Sequence, residues 1–359
     1  MINVLEKKME NFLSNNSNEQ ILSCVIWLLG HITLDYKEIA LYLINNLTII
    51  NCLNRIVVQQ HNNAEVIMKN ILWFVNFSFL MKSELSKNFT DSFKDKIFNI
   101  LILLSKNSYL DLRIDALNGL SVLVKNSNCN VVRERIIDER IVDQILSTNY
   151  DKAIKLLYPS IKLLGYLLSG KDCIISRLIE NNVISFLKVH INNKNHIIRK
   201  DVCWAFSNIS CVKMFLGNLV REGVFEQLIN LAKNDMNYLV RKEALWSIAN
   251  GCYFADVPMI NLVVKLGILE IIKNYLELTE LDWDIVEILS EALKKIFEIG
   301  CVISKEGENK YITEFIRLGG QDTIEKILLK SNVNEKILEL LSYINEKFMK
   351  SYECNENRI

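Results

Sequence analysis

Two segments of this chain place an acid, a tryptophan and an asparagine at the same spacing. The two sets are Asp201, Trp204 and Asn208 and, 42 residues later, Glu243, Trp246 and Asn250. On an α-helix, side chains four residues apart lie roughly 40° from each other, and side chains three apart lie roughly 60° apart. Each set therefore shares one helical face, which presents a carboxylate, an indole and an amide together.

These three groups suit an extended basic peptide. Indole faces attract cations and pack against the methylenes of lysine and arginine, while the carboxylate receives the charged head group. An asparagine amide can donate to and accept from any peptide backbone. Because packed helices lie roughly 8–10 Å apart and an extended peptide advances about 3.3 Å per residue, one repeat would match about three ligand residues. Core packing would need neither the acid nor the asparagine, so the pattern predicts a peptide-binding face.

Amphipathic segments recur along the chain and predict the helices that carry these residues. They cover residues 21–32, 67–79, 112–124, 160–168, 198–209 and 240–252. Aligned on the tryptophan position, their anchors are Trp27, Trp73, Asn118, Lys162, Trp204 and Trp246, which are 46, 45, 44, 42 and 42 residues apart. A period in the low-to-middle forties is typical of armadillo or HEAT units of two or three helices. The pattern weakens but continues through 285–299 and 315–348.

Between the anchors, two apolar helices recur with a glycine or asparagine turn between them, as in 174–182 and 183–191 or 259–267 and 268–276. The glycines at positions 223, 267, 319 and 320 lie where a helix has to end. Because single repeats cannot bury their apolar faces, stacked repeats share one core. We therefore predict an all-α, right-handed armadillo-repeat solenoid over residues 1–350, with no strands. It has about eight units, the first incomplete, and a short polar tail at 351–359.

Composition excludes several other classes. The 42 basic and 42 acidic residues give a formal net charge of zero, so the chain has no global attraction to nucleic acid or to an anionic membrane. Half of the residues are hydrophobic and only 2 are proline, which argues against disorder and against an all-β fold. No signal peptide or membrane span is predicted, and the nine cysteines contain no CxxC pair, which fits reduced thiols.

The sequence contains no phosphate-loop, dinucleotide, hydrolase or zinc motif. We therefore predict no enzyme activity, no cofactor and no metal site. The acids at positions 282 and 284 form a loop cluster, and Glu291 with Lys295 is typical of a solvated helix face. His31, which has no second histidine nearby, is predicted to contact peptide or to cap rather than to bind a metal.

The stretch 197–251 resembles the armadillo domain of importin alpha, the adaptor for nuclear localisation signals, whose repeats carry a tryptophan followed four residues later by asparagine. Weaker similarity extends over about residues 2–349 and includes 27–31 (WLLGH), 163–170 (LLGYLLSG) and 315–320 (FIRLGG). The resemblance implies binding of Lys/Arg-rich cargo signals in two groove regions, delivery by importin beta and recycling by an export receptor. It also implies shuttling between cytoplasm and nucleus.

The resemblance assigns the predicted site residues to two regions. The first groove region contains Trp27, His31, Asp35, Asn70 and Trp73. The second groove region, with the linker before it, contains Lys162, Tyr166, Ser169, Asp172, Asp201, Trp204, Asn208, Glu243, Trp246 and Asn250. The departures are His31, Phe77 and Tyr166 in place of asparagines, and Asn118 and Val122 in place of an aromatic pair. Because the second region keeps all three groups in both repeats, we expect it to bind more strongly than the first.

Residues 1–20 contain only two basic side chains, Lys7 and Lys8, whereas full-length members of the family begin with a basic importin-beta-binding arm and further repeats. We expect the chain to be a fragment or a reduced relative that does not bind importin beta through residues 1–20. Signals should then bind without importin beta. The alternative is an armadillo scaffold of the catenin or vacuole-inheritance kind. Catenin-like scaffolds bind acidic partners in a basic groove, so the charge along the inner surface distinguishes the two.

Overall fold

The described part of the chain is all-α and contains no strand. This computed structural model describes residues 4, 7–11, 19–60, 64–80, 83–86, 88–127, 130–304, 308–330 and 333–350. The chain divides into two compact units, Met1–Val183 and Ile184–Ile359. The predicted tail at 351–359 lies outside the described residues.

The first unit stacks helices in groups of up to three. Its helices are α1 Glu19–Asp35, α2 Lys37–Asn45, α3 Thr48–Gln60, α4 Glu65–Val75, α5 Ser83–Ser86, α6 Asp91–Ser105, α7 Leu110–Asn126, α8 Asn130–Asp138, α9 Ile141–Ser147, α10 Leu157–Leu168 and α11 Asp172–Glu180. A π-helical turn, Asn76–Leu80, extends α4. Helices α1, α4, α7 and α10 pack against one another in succession, and we call such helices ladder helices.

The second unit has the same organisation. The remaining helices are α12 Val183–His190, α13 His196–Ser210, α14 Leu216–Arg221, α15 Val224–Asn234, α16 Tyr238–Phe254, α17 Val257–Lys265, α18 Ile268–Leu276, α19 Trp283–Ile303, α20 Lys310–Arg317, α21 Gly320–Leu328 and α22 Glu335–Ile344. Its ladder helices are α13, α16, α19 and α22, again packed in succession. The predicted anchor segments lie on ladder helices in both units, so the predicted solenoid of helical repeats is confirmed.

Five of the short turns between successive helices of a repeat use a left-handed backbone. Three of them have glycine there, with φ of 65° at Gly223, 93° at Gly267 and 82° at Gly319, as the sequence predicted. Glycine adopts this conformation at no steric cost. The corresponding turn between α8 and α9 contains Arg140, with φ of 60°, and the one between α11 and α12 contains Asn182, with φ of 64°. Arginine gives no sequence signal for such a turn.

The loop that leads into α16 is held by two arginines. The Arg199 guanidinium donates to both carboxylate oxygens of Asp235, at 2.7 and 2.9 Å, and Arg241 donates to the Asp235 carbonyl at 2.7 Å. Burial acts to raise the pKa of Asp235, but hydrogen bonds from Arg199 and the Asn237 backbone outweigh it and lower that pKa. The start of α16 is thereby fixed relative to α13, and both helices carry predicted site residues.

Among the described residues, no single helix has the length and apolarity needed to cross a membrane. Only Lys37–Asn45 and Thr48–Gln59 meet that test when taken together, and they are bent by 71° at their junction.

Candidate peptide-binding surface

The second groove region is assembled on two packed ladder helices. α13 carries Trp204 and Asn208, and α16 carries Trp246 and Asn250 at the same spacing. All four side chains are half-buried, so each indole and each amide keeps part of its surface toward solvent. The helices place the two sets side by side, as their 42-residue separation predicts.

The asparagine amide of α16 also has a structural role. Asn250 Nδ2 donates to the Ser207 carbonyl of α13 at 3.3 Å, and Ser210 and Ser247 lie 3.3 Å apart between the same helices. The prediction that packing does not need the asparagine is therefore wrong at this position. Asn250 also hydrogen-bonds the Cys211 side chain. Because an amide has two N–H groups and an oxygen acceptor, these two bonds leave the oxygen for a peptide backbone.

The two predicted acids occupy different environments. Asp201 is only 2% exposed, and its carboxylate lies 3.0 Å from Lys200 Nζ, so it offers little surface to a ligand. Glu243 is half-buried. Burial raises the pKa of Glu243, and Asp201 adds to that rise, while Lys200 and Lys242 oppose it. Glu243 is therefore the acid of the pair that can meet a cationic side chain directly.

A third wall of this region, which the sequence pattern missed, comes from α19. A cavity of about 350 Å³ is lined by Trp246, Ala249, Asn250, Tyr253, Phe254, Asp284, Glu287, Ile288 and Glu291. At the tryptophan position of α19, 42 residues after Trp246, the chain has Ile288, so alignment on tryptophan gave no signal. The acids at 284, 287 and 291 nevertheless recur at helical spacing on one face, and that spacing was the usable signal.

The loop acids at 282 and 284 do not act as one cluster. Asp282 accepts a hydrogen bond from the Asp284 backbone as the N-cap of α19, and its carboxylate pairs with Lys242. Only Asp284 lines the cavity. Glu291 lies 3.7 Å from Lys294.

The first groove region forms a row of aromatic rings. The His31 ring centroid lies 4.2 Å from that of Trp27 and 5.1 Å from that of Trp73, and Trp73 lies 6.1 Å from Phe77. The two residues that replace asparagine, His31 and Phe77, thus extend an aromatic row in place of backbone-binding amides. Trp27 is 52% exposed and Phe77 is 47% exposed, whereas His31 stands between the two indoles.

The remaining residues of this region support the row. Trp73 packs directly over Gly30, where a Cβ would lie 2.0 Å from the indole carbon Cζ3. Asn70 donates to the Ser23 hydroxyl at 2.6 Å and to its carbonyl at 3.2 Å, which joins α4 to α1 as Asn250 joins α16 to α13. Asp35 is exposed at the last position of α1.

The linker residues surround a different kind of cavity in the first unit. This cavity, of about 600 Å³, is lined by Asn76, Phe77, Leu80, Asp115, Asn118, Gly119, Ser121, Val122, Lys125, Asn126, Tyr158, Lys162 and Tyr166. It has two lysines and one acid. Lys162 Nζ lies 5.6 Å from the centroid of the Tyr158 ring.

The other two linker residues lie outside that cavity's lining. The Ser169 hydroxyl donates to the Tyr166 carbonyl at 2.8 Å. Asp172 is exposed at the first position of α11, where a negative charge favours the helix N-terminus. Among the described residues, no group of three or more His, Cys, Asp or Glu side chains could hold a metal ion.

No protein-family model and no curated protein matches the chain. Solved structures do match. An engineered protein is 15% identical with a TM-score of 0.63, over 96% of this chain and 98% of its own. A designed armadillo repeat protein in complex with the peptide (KR)4 is 20% identical with a TM-score of 0.56, over 69% of this chain and 98% of its own. Computationally designed armadillo repeat proteins for modular peptide recognition are 18% identical, with a TM-score of 0.58.

These similarities establish the fold. The chain is an all-α solenoid of the armadillo-repeat kind.

Proposed function

We propose that the chain binds extended Lys/Arg-rich peptides along the ladder helices of its second unit and serves as an adaptor for nuclear import. The observation that carries the proposal is that Trp246 and Asn250 line one side of an open cavity whose other side bears three carboxylates. An indole, an amide and acids around one cavity match the methylenes, backbone and charged head groups of such a peptide.

The fold and its neighbours support the peptide part of this proposal. One designed armadillo neighbour is described in complex with the alternating basic peptide (KR)4. The adaptor part rests on the resemblance of residues 197–251 to importin alpha, which implies cargo with basic localisation signals, an export receptor and shuttling between cytoplasm and nucleus.

The direct test is a titration of fluorescent (KR)4 with the whole chain, followed by anisotropy. Wild type should bind, Trp246→Ala should weaken binding by about tenfold or more, and salt should weaken it further because the contacts are electrostatic. A neutral peptide of equal length is the control. Equal binding of the charged and neutral peptides would reject the proposal.

The adaptor role needs a separate measurement. A fluorescent cargo with a basic signal should enter nuclei of permeabilised cells when the chain, importin beta and an energy source are supplied. We expect no importin beta pull-down that depends on residues 1–20. Binding of (KR)4 without any cargo import would leave a peptide-binding scaffold and reject the adaptor role.

One observation favours the alternative scaffold function for the first unit. Its large cavity has Lys125 and Lys162 against the single acid Asp115, a balance that suits an acidic partner. An acidic peptide, (DE)4, should bind there only if this alternative is correct, and Lys162→Ala should then weaken it.

A further inference from the structure

The cavity beside Trp246 is bounded by two helical stripes of different chemistry. On α16, Trp246, Asn250 and Tyr253 follow one another at intervals of four and three residues. On α19, the acids at 284, 287 and 291 follow at intervals of three and four. Both intervals keep side chains on one face of a helix. One wall is therefore aromatic and the other is anionic.

The aromatic wall extends beyond the predicted pattern. Tyr253 is 55% exposed, and its ring centroid lies 4.9 Å from that of Phe254, which also lines the cavity. No lysine or arginine is among the cavity's lining residues, all of which the structure describes. Exposed rings facing three carboxylates form a site for a cation that carries an apolar stem.

A lysine of the chain itself already lies at the rim. Lys336, from the next ladder helix α22, pairs with Glu287, and its side chain remains 70% exposed. The hydrogen bond and charge of Glu287, with a smaller contribution from Glu291, raise the pKa of Lys336. An exposed pair of this kind is weak and easily exchanged.

We infer that the α19 wall is a further slot for a lysine or arginine side chain of the bound peptide, and that Lys336 competes for it. This inference rests on the proposed function and lengthens the peptide that the second unit would bind. With helices roughly 8–10 Å apart, a peptide that reaches α19 needs about three residues beyond those matched by α13 and α16. The preferred ligand is therefore a basic run of about eight or nine residues rather than a short cluster.

The test compares (KR)4 with (KR)2 on the whole chain. The double variant Glu287→Gln/Glu291→Gln removes charge with little change of shape and should weaken (KR)4 binding by about three- to tenfold. The same double variant should weaken (KR)2 binding by at most about half that fold-change, since a short peptide can bind to the other ladder helices. Lys336→Ala should strengthen (KR)4 binding by about threefold because it removes one internal competitor, the cation that pairs with Glu287.

Lys265→Ala is the matched control, because Lys265 is an exposed lysine at the end of α17, which is not a ladder helix. It removes the same charge as Lys336→Ala and should change affinity by less than about 1.5-fold.

Equal effects of the two lysine variants, or unchanged (KR)4 binding by the glutamine variant, would overturn the α19 slot while leaving the proposed function intact. Failure of wild type to bind (KR)4, or indifference to Trp246→Ala, would instead reject the proposed function. If the glutamine variant does not fold, comparing Lys336→Ala with Lys265→Ala still tests the α19 slot, because both lysine side chains are exposed.

Discussion

The two groove regions use tryptophans in opposite ways. In the first, the His31 ring lies between Trp27 and Trp73, so the space between two indoles is filled by the protein itself. In the second, Trp246 faces a cavity with carboxylates on its far side. The same anchor positions thus give a closed aromatic row in one unit and an open acidic site in the other, and the residue four positions after the tryptophan distinguishes them.

The cavities of the two units differ in charge as well. Two lysines and one acid line the larger cavity of the first unit, whereas three acids and no base line that of the second. A basic peptide should therefore prefer the second unit on electrostatic grounds in addition to geometry.

A buried ion pair should make the second unit more sensitive than the first to the loss of one arginine. Arg199 and Asp235 form a nearly buried pair, with side-chain exposures of 16% and 4%. Arg199→Ala leaves the Asp235 charge without its partner and should lower the free energy of unfolding by about 3 kcal/mol. The matched pair in the first unit, Arg177 and Asp138, is 41% and 60% exposed, so Arg177→Ala should cost less than about 1 kcal/mol. Urea unfolding measures both, and equal losses would contradict this difference.

The same pair predicts a pH dependence. Because the pKa of Asp235 is lowered in the folded chain, its negative charge stabilises the fold at pH values above 3.8, its ordinary pKa. That contribution is lost as the pH falls through the lowered folded-state value. Asp235→Asn should therefore cost most stability at neutral pH, with the gap to wild type narrowing below about pH 3.8. If the stability difference between wild type and Asp235→Asn widened on acidification, the Arg199–Asp235 pair would not be its cause.

Replacing His31 should open the first groove region and raise its affinity for a basic peptide. In the background Trp204→Ala/Trp246→Ala, we expect His31→Asn to raise affinity for (KR)4 by about three- to tenfold. It removes an aromatic stack worth about 1 kcal/mol and restores a backbone-binding amide. Asn45→Ala, at an exposed position on α2 outside this row, is the control. Unchanged affinity would mean that His31 does not close the slot.

The smallest effect concerns Glu243. Its pKa is raised above the ordinary value of 4.5, first by burial and also by Asp201. The carboxylate binds a cation only when ionised, so affinity for (KR)4 should begin to fall at a higher pH than for an exposed glutamate. Glu243→Gln should weaken binding by about two- to fivefold at pH 7 and flatten this part of the pH profile. An unchanged profile in the variant would assign the dependence to other acids.

The sequence predicted the repeat period, the ladder helices and the glycine turns, because these depend on local periodicity and backbone preference. It did not predict that Asp201 would be buried against Lys200, since burial depends on how α13 packs. The α19 wall was also not predicted, because the repeats were aligned on a tryptophan and α19 has Ile288 at that position. Similarly, the left-handed turn at Arg140 has no residue preference that would mark it.

The ranking of the two regions is tested most directly by titrating one basic peptide, (KR)4, against Trp73→Ala and against Trp204→Ala/Trp246→Ala. We expect the double variant to lose roughly one to two orders of magnitude in affinity, because it removes both indoles of the second region. Trp73→Ala should change affinity by less than about threefold, since His31 already fills the slot beside it. Loss of binding in Trp73→Ala, together with wild-type affinity in the double variant, would show that the first region is the stronger site.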